Sequence, residues 1–69
     1  MENYIYTKEG SFLYFYLHQN LEAIKLDYPN TPPCEHAAIL LEKATKLFPE
    51  SFFLGKTMKE GKALFTFEI

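Results

Sequence analysis

Residues 31–49 read TPPCEHAAILLEKATKLFP and predict the main helix of this 69-residue chain. Thr31 is a typical N-cap, and Pro32 suits the first helical position because the first N–H groups of a helix have no partner within it. Apolar residues recur every three or four positions along the stretch: Ala37, Leu40, Leu41, Ala44 and Phe48. This spacing places them on one face of a helix, which Pro49 ends. We therefore predict a helix over about 32–48 that packs one face against a core.

Similar stretches on either side of this helix predict two β-hairpins. Residues 8–16 read KEGSFLYFY and residues 59–67 read KEGKALFTF, so each has a polar turn followed by strand-forming residues. We expect the glycine to be the third residue of a three-residue loop, where the backbone needs positive φ. The strands before the turns are expected at 3–7 and 51–55. In the last strand, apolar residues alternate onto one face: Ala63, Phe65, Phe67 and Ile69.

The segment between the first hairpin and the main helix fits two structures. Leu21, Ile24 and Tyr28 are spaced as on a helix, whereas the last residues of the segment alternate between apolar and charged as in a strand. Helical spacing also extends back to Ser11, although the dense aromatic residues there favour a strand. We favour a short second helix over about 19–27. The predicted fold class is α+β, with a small antiparallel sheet from two hairpins packed against one main helix.

Residues 12–17 read FLYFYL and are apolar on both faces of the predicted strand. By comparison with the last strand, Tyr14 and Tyr16 take the inward positions, and the residues between them make the other face apolar as well. Such a strand, with no charge and no proline, is prone to aggregate if it is left exposed at an edge. We therefore expect a central strand covered on both sides. The second cover is either residues 20–28 or another chain, as a homodimer or a target protein.

Length and composition limit the class of protein. Sixty-nine residues make one domain, 1–69, and a hydrophobic content of 48% is too high for a disordered chain. Seven lysines, no arginine and nine acids give a net charge of −2. This balance argues against nucleic-acid binding, since that function normally needs a basic surface.

Three features of the sequence predict the cellular location. Cys34 is the one cysteine, so no internal disulfide can form. The first residues, Met1-Glu2-Asn3, lack the basic region of a signal peptide. No apolar segment approaches the roughly 20 residues that cross a bilayer. We expect a reduced, cytoplasmic protein with no membrane partner.

Catalytic and metal-binding patterns are weak in this sequence. Cys34, Glu35 and His36 form the one cluster of reactive side chains. Residues two apart on a helix point about 200° apart, so Cys34 and His36 would not face each other. Structural zinc needs four ligands in recognisable pairs, and neither CxxC nor HxxxH spacing occurs. We therefore expect no enzyme activity, no cofactor and no metal.

Aromatic residues around the first hairpin are the strongest functional signal. Tyrosine is favoured at protein interfaces because it is large, rigid and amphipathic. We predict a non-catalytic protein-binding module, an inhibitor or an adaptor, whose acidic side chains complement a basic site on its partner. The predicted contact residues lie in this hairpin and beside it: Tyr4, Tyr6, Leu13, Tyr14, Phe15, Tyr16 and Leu17.

A small-ligand site is the alternative function. Residues 43–69 carry five lysines against three acids, and the start of a helix attracts anions. An anionic ligand would bind at the start of the main helix, with help from lysines of the second hairpin. The residues of this alternative site are Cys34, His36, Lys56, Lys59 and Lys62.

Overall fold

The computed structural model describes residues 4–69 and has the predicted α+β fold. Its elements, in chain order, are β1 (Thr7–Glu9), β2 (Phe12–Tyr16), α1 (Leu17–Asp27), α2 (His36–Leu47), β3 (Phe52–Lys59) and β4 (Lys62–Glu68). The four strands form one antiparallel sheet in the order β1–β2–β4–β3. The two hairpins therefore meet where β2 pairs with β4, and β2 is central, as predicted.

The main helix agrees with the prediction except at its first turn. A 3-10 turn over Pro33–Glu35 leads into α2, so the helical stretch begins one residue later than predicted. Pro32 is extended, with ψ 152°, because a following proline disfavours the helical region for the residue before it. No side-chain hydrogen bond caps this turn, so the predicted capping role of Thr31 is wrong.

A short second helix, and not a strand, follows the first hairpin. α1 starts at the residue after β2 ends. Its fully buried Asn20 receives a hydrogen bond from the Ile5 N–H (2.6 Å) and donates to the Ile5 carbonyl (3.0 Å) and the Tyr16 carbonyl (2.8 Å). The Asn20 side chain thus makes the hydrogen bonds to the Ile5 N–H and C=O groups that a neighbouring strand would otherwise make. The strand predicted at 3–7 is accordingly absent over residues 4–6, and residue 3 lies outside the described residues.

Both hairpins have two-residue turns, so the predicted three-residue loops are wrong. Gly10 and Ser11 link β1 to β2, whereas Glu60 and Gly61 link β3 to β4. φ is 60° at Gly10, 54° at Glu60 and 76° at Gly61. Two-residue turns with positive φ match the right-handed twist of paired strands. The glycine is therefore first in one turn and second in the other, although the letters KEG precede both strands.

This difference of one residue reverses the predicted faces of β2. Leu13 pairs with Phe67 and Phe15 with Phe65, and all four side chains face the helices. Tyr14 and Tyr16 point to the other side, so their predicted inward positions are wrong. A shift of one residue moves every side chain of a strand to the opposite face. The faces predicted for β4 are confirmed.

Both helices pack on the same side of the sheet. The buried apolar core consists of Tyr4, Leu13, Phe15, Ala23, Ile24, Leu40, Ala44, Phe65 and Phe67. Residues 20–28 therefore cover the Leu13 and Phe15 side of β2 together with α2, so the expectation that they cover the second face of β2 is wrong. The tyrosine side has no helix on it. Within residues 4–69, neither helix is long and apolar enough to cross a membrane.

Candidate protein-interaction surfaces

The side of the sheet opposite the helices forms a surface that we call the open face. Cross-strand register defines it, because paired residues in a sheet share one face. Its members are Thr7, Glu9, Phe12, Tyr14, Tyr16, Phe52, Thr57, Lys59, Lys62, Leu64, Thr66 and Glu68. Leu64 lies between Tyr16 and Thr57 and is largely buried even though it is outside the core. The open face is therefore polar at many positions but apolar at its centre.

Charges on the open face are separated into two ends. Glu9 and Glu68 both lie opposite Phe12 at one end, while Lys59 and Lys62 pair at the other. The two intervening rows of paired residues carry no charge. Lys62 and Glu68 are six residue steps apart on β4, which corresponds to about 20 Å along the strand. This face thus has an acidic end and a basic end.

A shallow depression of about 250 Å³ lies in the open face. The residues around it are Thr7, Glu9, Tyr14, Tyr16, Lys59 and Leu64. Ligand pockets for drug-sized molecules and cofactors usually occupy about 300–1,000 Å³ and enclose most of the ligand. The depression is smaller than such pockets.

The outer edge of the sheet at β3 is a second exposed surface. Within the described residues, β3 pairs with β4 only, so its other edge has no strand beside it. Exposed large hydrophobic residues are concentrated here, and we call these the edge strip: Phe52, Phe53, Leu54 and Met58. Phe52 is 73% exposed and Met58 is 62% exposed. Ile69, at the end of the neighbouring β4, is exposed as well.

A β-bulge divides β3 at Leu54. Phe53 pairs with Phe67 and Gly55 pairs with Thr66, so Leu54 is an extra residue without a partner on β4. Gly55 has φ 146°, which a residue with a side chain would adopt only under strain. Beyond the bulge, Lys56 and Lys59 are the charged residues of β3, and the strand has no acid. Edge lysines and bulges are features that limit indiscriminate pairing of sheet edges.

The predicted contact residues before β2 lie near the helices. The Tyr4 hydroxyl donates a hydrogen bond of 3.1 Å to Asp27, at the end of α1. The Tyr6 ring packs against the rings of Phe15, with centroids 5.4 Å apart, and Phe48, with centroids 5.0 Å apart. These two tyrosines join the first segment of the chain to the helical layer, and they do not belong to the open face.

The predicted contact residues on β2 and just after it lie on different faces of the sheet, because successive side chains of a strand alternate. Leu13 and Phe15 are completely buried in the core, and Leu17 packs against that core from the first turn of α1. Tyr14 and Tyr16 lie on the open face. The seven predicted residues therefore do not form one surface, and these two are the members available on the helix-free side.

The five residues of the alternative anion site also lie apart in the structure. Cys34 is exposed in the 3-10 turn, and His36 is buried at the start of α2. Lys56 pairs with Phe65 and so lies on the helix side of the sheet, whereas Lys59 and Lys62 lie on the open face. The fold places two of the three lysines on the side of the sheet away from the helices, so the five residues share no common face.

The edge strip was not among the predicted contact residues, although the sequence contains a signal for it. Residues 52–54 read FFL, and successive side chains of a strand point to opposite faces. Three consecutive apolar residues cannot all face one core, so at least one must be exposed or covered by another element. The sequence did not reveal that β3 is an edge strand, because this depends on which strands of the two hairpins pair.

Within residues 4–69, no group of three or more His, Cys, Asp or Glu side chains is placed to hold a metal ion. Comparisons with protein-family models, curated proteins and solved structures give no significant match. The functional interpretation therefore relies on the surfaces of this chain alone.

Proposed function

We propose that this protein is a non-catalytic protein-binding module, an inhibitor or an adaptor, that binds an extended segment of another protein along β3. The observation that supports this function is the concentration of exposed apolar side chains on a strand with a free edge. Contiguous exposed apolar surface on a small protein is typical of interaction sites.

Strand addition explains how such an edge binds a partner. An edge strand presents unpaired N–H and C=O groups, which an added strand can satisfy with its own backbone. Side chains on both faces then provide specificity. Phe53 and Met58 lie on the helix side of β3, opposite Phe67 and Ala63, and Phe52 lies on the open face. The bulge at Leu54 leaves Gly55–Lys59 as the regular segment for pairing.

The lysines of β3 favour an acidic partner segment. Lys56 and Lys59 project to opposite sides of β3, and no acid on the strand balances them. Pairing β3 with a second β3 would bring these lysines together, whereas an acidic segment would neutralise them. The partner proposed here is therefore acidic where it meets β3, in contrast to the basic partner site expected from the net charge of the chain.

Capture followed by reconstitution tests this function. Proteins captured by the tagged chain would be purified, and their dissociation constants would be measured with the wild type and with Lys56→Glu and Met58→Glu. We expect each substitution to weaken binding about tenfold or more, because each acts at the pairing edge. Lys46→Glu is the control for the charge change, since Lys46 is also exposed but lies on α2, where its contact is Glu42 at 3.6 Å.

Amide hydrogen exchange would distinguish strand addition from other modes of binding. The free-edge amides of Gly55–Lys59 should exchange quickly in the isolated protein and slowly in the complex. A reconstituted complex in which these amides stay unprotected, with affinity unaffected by Lys56→Glu and Met58→Glu, would contradict the proposed function.

A further inference from the structure

We propose that the open face binds a second copy of this chain, with the two sheets stacked face to face and their strands antiparallel. This inference goes beyond the proposed function, because it concerns the opposite surface of β2 and β4 and not the edge of β3. It rests on the separation of charge along the open face and on the apolar residues between its two ends.

The centre of the open face has the composition of an interface core. Tyr14, Tyr16 and Leu64 occupy its middle rows without any charged neighbour in those rows. Phe12 lies beside Glu68 at the acidic end, with Phe52 on the other side of the same glutamate. Interface cores are enriched in aromatic residues and depleted of charged ones. Two such faces can stack at the usual sheet separation of about 10 Å.

Symmetry selects one way to stack the two copies. A two-fold axis in the plane of the interface and perpendicular to the strands reverses the strand direction. It places the acidic end of each copy over the basic end of the other, with Glu68 of one β4 facing Lys62 of the other β4 twice. Glu9 and Lys59, on the opposite edge strands β1 and β3, add to the charge of their ends. A two-fold axis parallel to the strands would instead place the acidic end over the acidic end and the basic end over the basic end. The charge pattern therefore favours the antiparallel stack.

The size of the open face sets the strength of this dimer. A face four strands wide, at about 4.8 Å per strand, and about 20 Å long covers at most roughly 400 Å² of each copy, because β1 has only three residues. Two such surfaces bury less than the roughly 1,200 Å² of the smallest standard interfaces. We therefore expect a reversible dimer that forms with increasing concentration, and not a permanent one.

Sedimentation equilibrium from low micromolar to near-millimolar concentration measures this association. Two double variants test its geometry: Glu9→Lys/Glu68→Lys has lysines at both ends, and Lys59→Glu/Lys62→Glu has acids at both ends. Each variant alone should dimerise about tenfold more weakly than the wild type or worse, because like charges then meet at both ends. All four positions are exposed, so the variants should keep the fold, which circular dichroism verifies.

Mixing provides the decisive comparison. The two double variants carry opposite charges at every contact, so an equimolar mixture should form a heterodimer. The variant with all four substitutions exchanges the two ends and should dimerise like the wild type. A wild type that stays monomeric throughout the concentration range would overturn the inference, as would a dimer that neither reversal weakens, or reversed variants that do not associate when mixed.

This experiment separates the inference from the proposed function. Lys56 and Met58 lie on the helix side, so Lys56→Glu and Met58→Glu should leave self-association unchanged. Glu9→Lys/Glu68→Lys changes no residue of β3, so it should lose dimerisation and keep partner binding, whereas Lys59→Glu/Lys62→Glu changes a residue of β3 and should weaken both. Loss of dimerisation in Glu9→Lys/Glu68→Lys with retained partner binding, or loss of partner binding in Met58→Glu with retained dimerisation, would show which of the two surfaces is correctly assigned.

Discussion

Both faces of the sheet are formed by the same strands, but one face packs against the helices and the other does not. On β2, Leu13 and Phe15 are completely buried against the helices, while Tyr14 and Tyr16, one residue away in each case, are only partly covered. On β4, Phe65 and Phe67 face the core, and Leu64 and Thr66 face the other side. The helix side holds the fold together. The open face lies outside the buried core, apart from Leu64 at its centre, and its charges are grouped at the two ends of the strands.

Truncation of one large residue on each face should show this difference most strongly. Phe15→Ala removes a ring that packs against Tyr6, Phe48 and Phe67, and it should cost about 3–5 kcal/mol of unfolding free energy. Tyr14→Ala, the matched change on the open face, should cost only about 1 kcal/mol, since the side chain is already partly exposed. Urea unfolding of both variants measures the comparison. Equal losses would mean that both faces contribute alike to stability.

The hydrogen bonds between Asn20 and the Ile5 backbone should make the next largest contribution to the free energy of unfolding. Asn20→Ala removes a buried amide and leaves the N–H and C=O of Ile5 without their partner. We expect a loss of about 2–3 kcal/mol, because three partly buried hydrogen bonds of the Asn20 side chain would be lost. Gln19→Ala, an exposed neighbour on the same helix, should change stability by less than about 0.5 kcal/mol. Thermal unfolding and exchange of the Ile5 amide would check this, and an unchanged Ile5 amide would contradict it.

A substitution in the turn of the second hairpin should have the smallest effect on the free energy of unfolding. It should stabilise the protein, unlike the substitutions above. Glu60 has positive φ without being glycine, and asparagine is preferred over glutamate at this position of a two-residue turn. Glu60→Asn should therefore stabilise the protein by about 0.5 kcal/mol. Ser11→Asn is the control, because Ser11 is not among the residues with positive φ. A lower melting temperature for Glu60→Asn would contradict the turn assignment.

Helical spacing and strand patterns in the sequence predicted the fold class, both helices and the central place of β2. The main helix was predictable because its apolar residues repeat over about three turns between Pro33 and Pro49. The faces of β2 were not, because KEG occurs in both hairpins but takes a different position in each turn. Nothing local distinguishes the two arrangements, and the difference of one residue follows from the pairing of Leu13 with Phe67.

The candidate surfaces were less predictable than the fold. Tyr14 and Tyr16 stood out as tyrosines in a sequence stretch without charge, and the structure places both on the open face. The acidic and basic ends of that face are invisible in the sequence, because Glu9 and Glu68 come from opposite ends of the chain. They meet beside Phe12 only through the antiparallel pairing of the two hairpins.

We infer that the helix side of the sheet stabilises the fold and that the open face binds a second copy. A concentration series of amide chemical shifts by NMR tests this most directly. With increasing concentration, we expect the amide shifts of Tyr14, Tyr16, Leu64 and Thr66 to change and those of Leu40 and Ala44 on α2 to stay constant. Shifts confined to the helices, or no shifts at any residue of the open face, would contradict it.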